Sequence, residues 1–315
     1  MVIFTMFFFL IKVMMDCDSY YKLIGSGPIK LLFIAGLGGN MHYWYYQINY
    51  FQKFKNYQIC VFNNRGSHDV MHNSQTMQIN DMVEDVKNLL EKIEWESANI
   101  IGISMGGMCA LKFAALYPNM CDSLILINTS DNGKNVLLSR HAYYNLIQHT
   151  TESMKESLWN WWLNKNNMMD CKSSIHSKMM FTKKFKLTNE YKNMDFNKMA
   201  QLSAIIRFQL TTEEFKIIEN IPRIILCGTQ DKVIHCKYSF QLQEKLKCKL
   251  FQFNHCGHGL NIDSKNMCNT IIRTFTILNF TKKKAQNKYN HKKNNITQLQ
   301  HKKINTIQSQ HKKLT

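Results

Sequence analysis

The pentapeptide Gly102-Ile103-Ser104-Met105-Gly106 constrains this chain more than any other stretch. It directly follows the apolar run Ala98-Asn99-Ile100-Ile101 and precedes a helical pattern from Gly107 to Tyr117, closed by Pro118. A buried strand, a sharp turn and a helix are therefore expected in immediate succession. In such a turn the serine backbone is strained, and side chains beside it would collide with the neighbouring strand and helix. Glycine on both sides avoids this. The turn also exposes the serine hydroxyl at the strand end, where it can act as a nucleophile. The competing reading is a plain strand-to-helix turn that happens to contain serine.

The same alternation runs along much of the chain. Strands are expected at 20–24, 29–34, 57–62, 98–101, 123–127, 223–227 and 248–253. Helices are expected at 43–54, 79–93, 107–117, 238–246 and 265–278. The helix at 79–93 carries a stripe of Met82, Val83, Val86, Leu89, Leu90 and Ile93 at helical spacing. Alternation of this kind implies an α/β fold with a mostly parallel central sheet and helices on both faces. It is interrupted at 130–219 by helical patterns rich in Met, Tyr and Phe, with Trp159, Trp161 and Trp162. Long insertions at the carboxyl edge of a parallel sheet usually cover the site, so this one is read as an inserted helical lid. Its aromatics either pack the lid's own interior or line an apolar substrate chamber.

Charge is unevenly placed. The formal net charge is +18, of which the 10 lysines after Phe280 supply +10 without one acidic residue. That tail repeats His291-Lys292-Lys293, His301-Lys302-Lys303 and His311-Lys312-Lys313, and is expected to be disordered. It is read either as a solvated extension or as a contact for an anionic surface; its final Lys-Lys-Leu-Thr also has the form of a dilysine signal. At the other end, residues 1–15 are apolar but too short to span a bilayer, and the charge and cleavage pattern of a signal peptide is missing. They are read as a weak anchor, or as sequence ahead of a true start at Met14 or Met15. The 10 cysteines are scattered without a Cys-x-x-Cys pair, against a disulfide framework or zinc site. The resulting division is an apolar segment 1–15, a core of 16–129 and 220–280, a lid 130–219 and a basic tail 281–315. A cytoplasmic location is expected, with membrane association through the two ends as an option and no requirement for nucleic acid.

A serine hydroxyl needs a base within hydrogen-bond reach, and the base needs a third group to fix its tautomer. Asp231, in Gly228-Thr229-Gln230-Asp231, lies just past one expected strand. His258, in Gly257-His258-Gly259, lies past the next. Both fall at the carboxyl edge with Ser104, in the order Ser, acid, His. His255 is an alternative base; Asp131 and Asp263 are alternative acids. His235 and His68 read as surface residues.

These segments, with Phe33-Ile34-Ala35-Gly36-Leu37-Gly38-Gly39 and Phe62-Asn63-Asn64-Arg65-Gly66, resemble the α/β-hydrolase family from about residue 20 to 280. The resemblance implies Ser104 as nucleophile, His258 as base and Asp231 as acid. It implies an oxyanion hole from the backbone N–H groups of Leu37 and Met105, with Gly36, Gly38, Gly102 and Gly106 shaping the loop and elbow. No metal or cofactor is implied. In two places the chain departs from the pattern. Ala35 stands where many members have His, and Gly66-Ser67-His68 stands where Gly-x-Gly is common, so the second glycine is lost; Arg65 is expected to pair with neighbouring loop acids. The activity implied is hydrolysis of a carboxylic ester or thioester with an apolar acyl group. The alternatives are an N-terminal-residue peptidase of the same fold, or an idle binding or tethering protein acting through the basic tail.

Overall fold

Five segments that read as continuous apolar runs, β2 (Ile29–Ile34), β3 (Tyr57–Phe62), β4 (Ala98–Ile103), β5 (Cys121–Ile127) and β6 (Arg223–Gly228), are buried along nearly their whole length. β1 (Tyr21–Gly25) and β7 (Lys249–Phe253) are largely open to solvent. The topology explains the difference. In the computed structural model the strands form one seven-stranded sheet in the order β1-β3-β2-β4-β5-β6-β7, which leaves β1 and β7 at the edges. β1 pairs antiparallel with β3, and every other pair is parallel. A parallel strand covered on both faces must be apolar on both faces, as these are.

The structure describes residues 20–67, 77–137 and 194–311. The apolar segment 1–15, His68, the Trp159, Trp161 and Trp162 part of the lid, and the last four residues lie outside the described residues. The helices are α1 (Tyr45–Phe51), α2 (Ile79–Lys92), α3 (Met105–Leu116), α4 (Lys134–Leu137), α5 (Met194–Arg207), α6 (Thr212–Ile218), α7 (Cys236–Leu246), α8 (Leu260–Asp263) and α9 (Lys265–His311). A 3-10 turn at Met41–Trp44 opens α1, in place of one helix over 43–54. On α2 the expected stripe from Met82 to Leu90 is buried, each side chain contributing about 1.5–3 kcal/mol relative to exposure. The Asp81 carboxylate accepts the Gln78 N–H at its start. α6, at the end of the expected lid, packs on the elbow helix α3: Ile218 is buried and Glu214 pairs with Lys112.

One expectation is corrected. The tail beyond Phe280 was expected to be disordered, but α9 continues from Lys265 to His311. No glycine or proline follows Gly259, and the tail's Lys, Gln and Ala lose little conformational freedom in a helix. By internal contacts the chain divides at Thr270. The second unit, Ile271–Thr315, carries Lys282, Lys283, Lys284 and Lys288 on exposed positions. Among the described residues no helix is long and apolar enough to cross a membrane.

The sheet order contains a switch point. β2 lies between β3 and β4, so the connections leaving β2 and β4 diverge to opposite sides and open a crevice at their carboxyl ends. α3 begins in that crevice and lies hard against the end of β2. A Cβ on Gly106 would sit 2.2 Å from the Ile34 carbonyl oxygen, and one on Gly102 would sit 2.2 Å from the Gly106 carbonyl oxygen. Both obstacles are backbone, so neither can swing aside. Gly106→Ala is therefore expected to destabilise the protein by about 1–3 kcal/mol, the usual cost of overpacking. Urea unfolding measures this, and a midpoint equal to wild type would refute the packing argument.

Candidate active site

Ser104 follows β4 directly and caps α3 with φ 55° and ψ −123°. A non-glycine residue in this region is strained, by roughly 1–3 kcal/mol. Its backbone is pinned on both sides. The Ser104 N–H donates to the Ile127 carbonyl on β5 at 3.0 Å, and its carbonyl accepts from Gly107 N at 2.9 Å and from the Thr129 hydroxyl at 2.7 Å. The side chain is 9% exposed, at the mouth of the switch-point crevice.

Asp231 and His258 meet beneath the same edge. His258 Nδ1 lies 2.7 Å from Asp231 Oδ2, and both side chains are buried. The other carboxylate oxygen, Oδ1, accepts from the backbone N–H groups of Val233 at 2.8 Å and Ile234 at 3.0 Å. Those two bonds fix the carboxylate, which in turn fixes the ring and directs Nε2 away from it. The alternative assignments have other partners. Asp131 is paired with Lys245 at 2.5 Å. His255 is exposed and its Nδ1 faces Gln230. The exposed His235 caps α7.

The glycine-rich loop after β2 is a tight turn closed by Gly39 N–H to the Gly36 carbonyl at 3.0 Å, with Gly38 at φ 66°. It borders the serine: a Cβ on Gly36 would lie 3.2 Å from Ser104 Cβ and 3.8 Å from its hydroxyl oxygen. Leu37 is the second residue of this turn. Met105 is the first residue of α3, where an N–H has no acceptor within its own helix.

Where the loops depart from the family pattern, other contacts hold them. Asn64 Nδ2 donates to the Ala35 carbonyl at 2.9 Å, and the Met41 N–H donates to Asn63 Oδ1 at 2.9 Å. Ser67 closes the next turn by donating its N–H and hydroxyl to the Asn64 carbonyl, with Gly66 at φ 76°. Arg65 makes a two-pronged pair with Asp85, which lies on helix α2 and not in a loop.

Sequence reading missed Asn128. This buried residue follows β5 and serves both neighbouring loops. Its Oδ1 accepts the Gly228 N–H at 2.8 Å, and its Nδ2 donates to the carbonyls of Gly257 at 3.0 Å and His258 at 2.8 Å. Its position, two residues before Ser130 and directly past an apolar strand on the site edge, was the available signal.

Asp263, at the end of α8, accepts the Gly257 N–H at 3.0 Å. Burial pushes its carboxyl up to about 7; the Gly257 bond opposes the shift and the nearby Asp231 adds to it. Between about pH 4 and 7 the folded protein thus holds a proton that an unfolded aspartate has already released, so this group's contribution to stability falls as pH rises through that window. Asp263→Asn keeps an oxygen for the Gly257 N–H and removes the charge. Its gain in melting temperature over wild type should grow from pH 5 to pH 8; a gain that shrinks over that range would contradict this account.

Comparison with known proteins agrees with the architecture. A family model described as alpha/beta hydrolase fold matches residues 30–265. YisY of Bacillus subtilis, an AB hydrolase superfamily protein, is 24% identical over 264 residues, covering 80% of this chain and 93% of its own. RutD of Azorhizobium caulinodans, which carries the name carbamate hydrolase, is 26% identical over 113 residues, and the match spans only 36% of this chain and 42% of that one. Among solved structures, a carboxylesterase of the thaumarchaeon Nitrososphaera gargenis superposes with a TM-score of 0.67 at 20% identity, over 85% of this chain and 98% of its own. At that identity the superposition speaks for the fold alone. With a family model spanning most of its length and a switch-point sheet to match, this chain belongs to the alpha/beta hydrolase fold family.

Proposed function

We propose that the protein is a serine hydrolase acting on a carboxylic ester or thioester with an apolar acyl group. The observation that carries this is the buried His258–Asp231 pair at 2.7 Å, set at the sheet edge that also presents the strained Ser104. In this reading His258 takes the Ser104 proton as Oγ forms a bond to the acyl carbon. The charge that develops on the carbonyl oxygen is met by the N–H groups of Leu37 and Met105. His258 then gives the proton to the leaving oxygen or sulfur as that bond breaks. In the second half His258 removes a proton from water, the resulting hydroxide attacks the acyl carbon, and Ser104 recovers its proton as the acid departs. Asp231 holds the imidazole in the required tautomer throughout. The similarity in fold to a carboxylesterase fits this reading.

An idle binding protein of this fold would be expected to lack one of these groups, and Ser104, His258 and Asp231 are all present in order. The peptidase alternative calls for acidic groups to hold a substrate amine. Of the acids in the 130–219 segment, Asp131, Glu214 and Glu219 are engaged by Lys245, Lys112 and Lys247, whereas Glu152, Glu156, Asp170 and Glu190 lie outside the described residues.

A fluorophosphonate probe, which reacts with an activated serine, separates an active enzyme from an idle binding protein, and turnover of esters against N-terminal amides separates the two substrate classes. Wild type should label and Ser104→Ala should not, and the same substitution should reduce ester turnover by about a thousandfold or more. Asp231→Asn should lose at least about a hundredfold in turnover. Asp131→Asn should stay near wild type, because its partner is Lys245 at the surface. Loss of turnover in Asp131→Asn with retention in Asp231→Asn would overturn the assignment of the acid. Failure of well-folded wild type to label would overturn the hydrolase reading.

A further inference from the structure

Gln201 is fully buried on α5, the helix by which the 130–219 segment returns to the core. A buried glutamine must satisfy both ends of its amide, and the two bonds it makes lead straight to the site. Its Oε1 accepts the Gly38 N–H at 2.8 Å, across 163 residues of chain. Its Nε2 donates to the Arg65 carbonyl at 2.9 Å. One side chain thus joins the glycine-rich turn after β2, the loop after β3 and the returning helix.

The bond to Gly38 fixes more than position. With Gly38 at φ 66° in a turn closed by Gly39 N–H to the Gly36 carbonyl, the peptide between Leu37 and Gly38 has one of two possible orientations. A positive φ at the third turn residue belongs to the orientation found in type II turns, and flipping that peptide gives the type I form. Gln201 Oε1 meets an N–H in the first orientation. In the second, the Leu37 carbonyl would replace that N–H and two acceptors would face each other. The side chain therefore selects one form of the turn's central peptide; the Leu37 N–H, on the preceding Gly36–Leu37 peptide, is steadied through the turn and is not itself flipped.

Helix α5 is itself anchored beside the site. Just after it, Phe208 accepts the Gly133 N–H at 2.9 Å and Leu210 donates to the Asp131 carbonyl at 3.0 Å, with an antiparallel bridge between Asn132 and Gln209. Gly133 has room only as glycine, since a Cβ there would lie 1.6 Å from the Ile205 carbonyl oxygen. The loop after β5 thus grips the end of α5, and α5 through Gln201 grips the turn after β2.

We propose that Gln201 is a positioning residue that makes a competent oxyanion-binding turn depend on the docking of α5. It acts through the Leu37–Gly38 peptide without touching substrate, and it rests on the serine-hydrolase reading given above.

The test uses the full chain with Gln201→Met, which keeps the length and removes both bonds, and Gln201→Glu, which keeps the acceptor for Gly38. Two measurements are made: amide hydrogen exchange of the peptide containing residues 35–41, and kcat and KM for a short-chain p-nitrophenyl ester. Exchange in the turn should speed up at least about tenfold in Gln201→Met and less in Gln201→Glu. The kcat should fall by about ten- to a hundredfold in Gln201→Met, with KM within about twofold, since the turn serves the transition state more than the ground state. Exchange unchanged in both variants overturns the proposal whatever the wild type hydrolyses. So does a loss of kcat, KM and melting temperature together, which marks a merely structural role. If wild type hydrolyses no ester while the turn still loosens in the ordered series, the substrate reading fails and the link between α5 and the turn stands.

Discussion

Everything at the site depends on holding one serine backbone in a conformation it would not choose. Ser104 at φ 55° costs free energy, so the surrounding structure must over-determine it. β4 is buried along its full length between β2 and β5, and its register is fixed by parallel pairing on both sides. A slip by one residue would exchange the side chains on its two packed faces and undo their fit. α3 leaves at once and its first turn abuts the end of β2, so the chain has no slack in which the serine could relax. The strain is then bound by β5, through the Ile127 carbonyl and the Thr129 hydroxyl.

The end of β5 acts as a common support for segments that are far apart in the chain. Thr129 holds the elbow, and Asn128 holds the start of the Asp231 loop and the backbone around His258. A second buried network joins the 3-10 turn at Met41–Trp44 and helix α1 to α8 and the start of α9, beyond His258. Tyr43 donates to Asn261, and Gln47 donates to the Asn261 carbonyl and to Asn269. Each buried amide here has a partner, which is the condition under which polar groups in an interior specify geometry without a net penalty. Ser104, Asp231 and His258 thus rest on buried side chains from other parts of the chain. These supports fix the relative placement of three loops on a rigid sheet.

Most of the sheet was legible because the physics that forms it is local. Continuous apolar runs of five or six residues between turn signals mark buried parallel strands, and the observed strands fall within a residue or two of the expected ones. The placement of Ser104, Asp231 and His258 on one edge was legible too, since each falls within a few residues of the carboxyl end of an expected strand. The supports were not. Gln201 resembles any other Gln, and Asn128 stands out only by following an apolar strand directly, a place that does not tell a buried amide with long-range partners from a solvated one. The helix through the basic tail was misread because charge was weighed above helix propensity, although the segment lacks any glycine or proline to end it.

By itself, then, the sequence determined the alternation of strands and helices, the sharp turn at Ser104, and the order and sheet edge of Ser104, Asp231 and His258. These follow from side-chain periodicity, from the steric freedom of glycine and from the position of polar residues just beyond apolar runs. Only the tertiary structure decided that Asp231 and not Asp131 faces His258, because that choice depends on which neighbouring group, His258 or Lys245, reaches each carboxylate across the folded sheet. It alone decided that a glutamine 163 positions away completes the turn after β2. Such pairings are made between surfaces that exist only once the strands are in register, and hydrogen bonds between residues so distant leave no periodic trace in the chain.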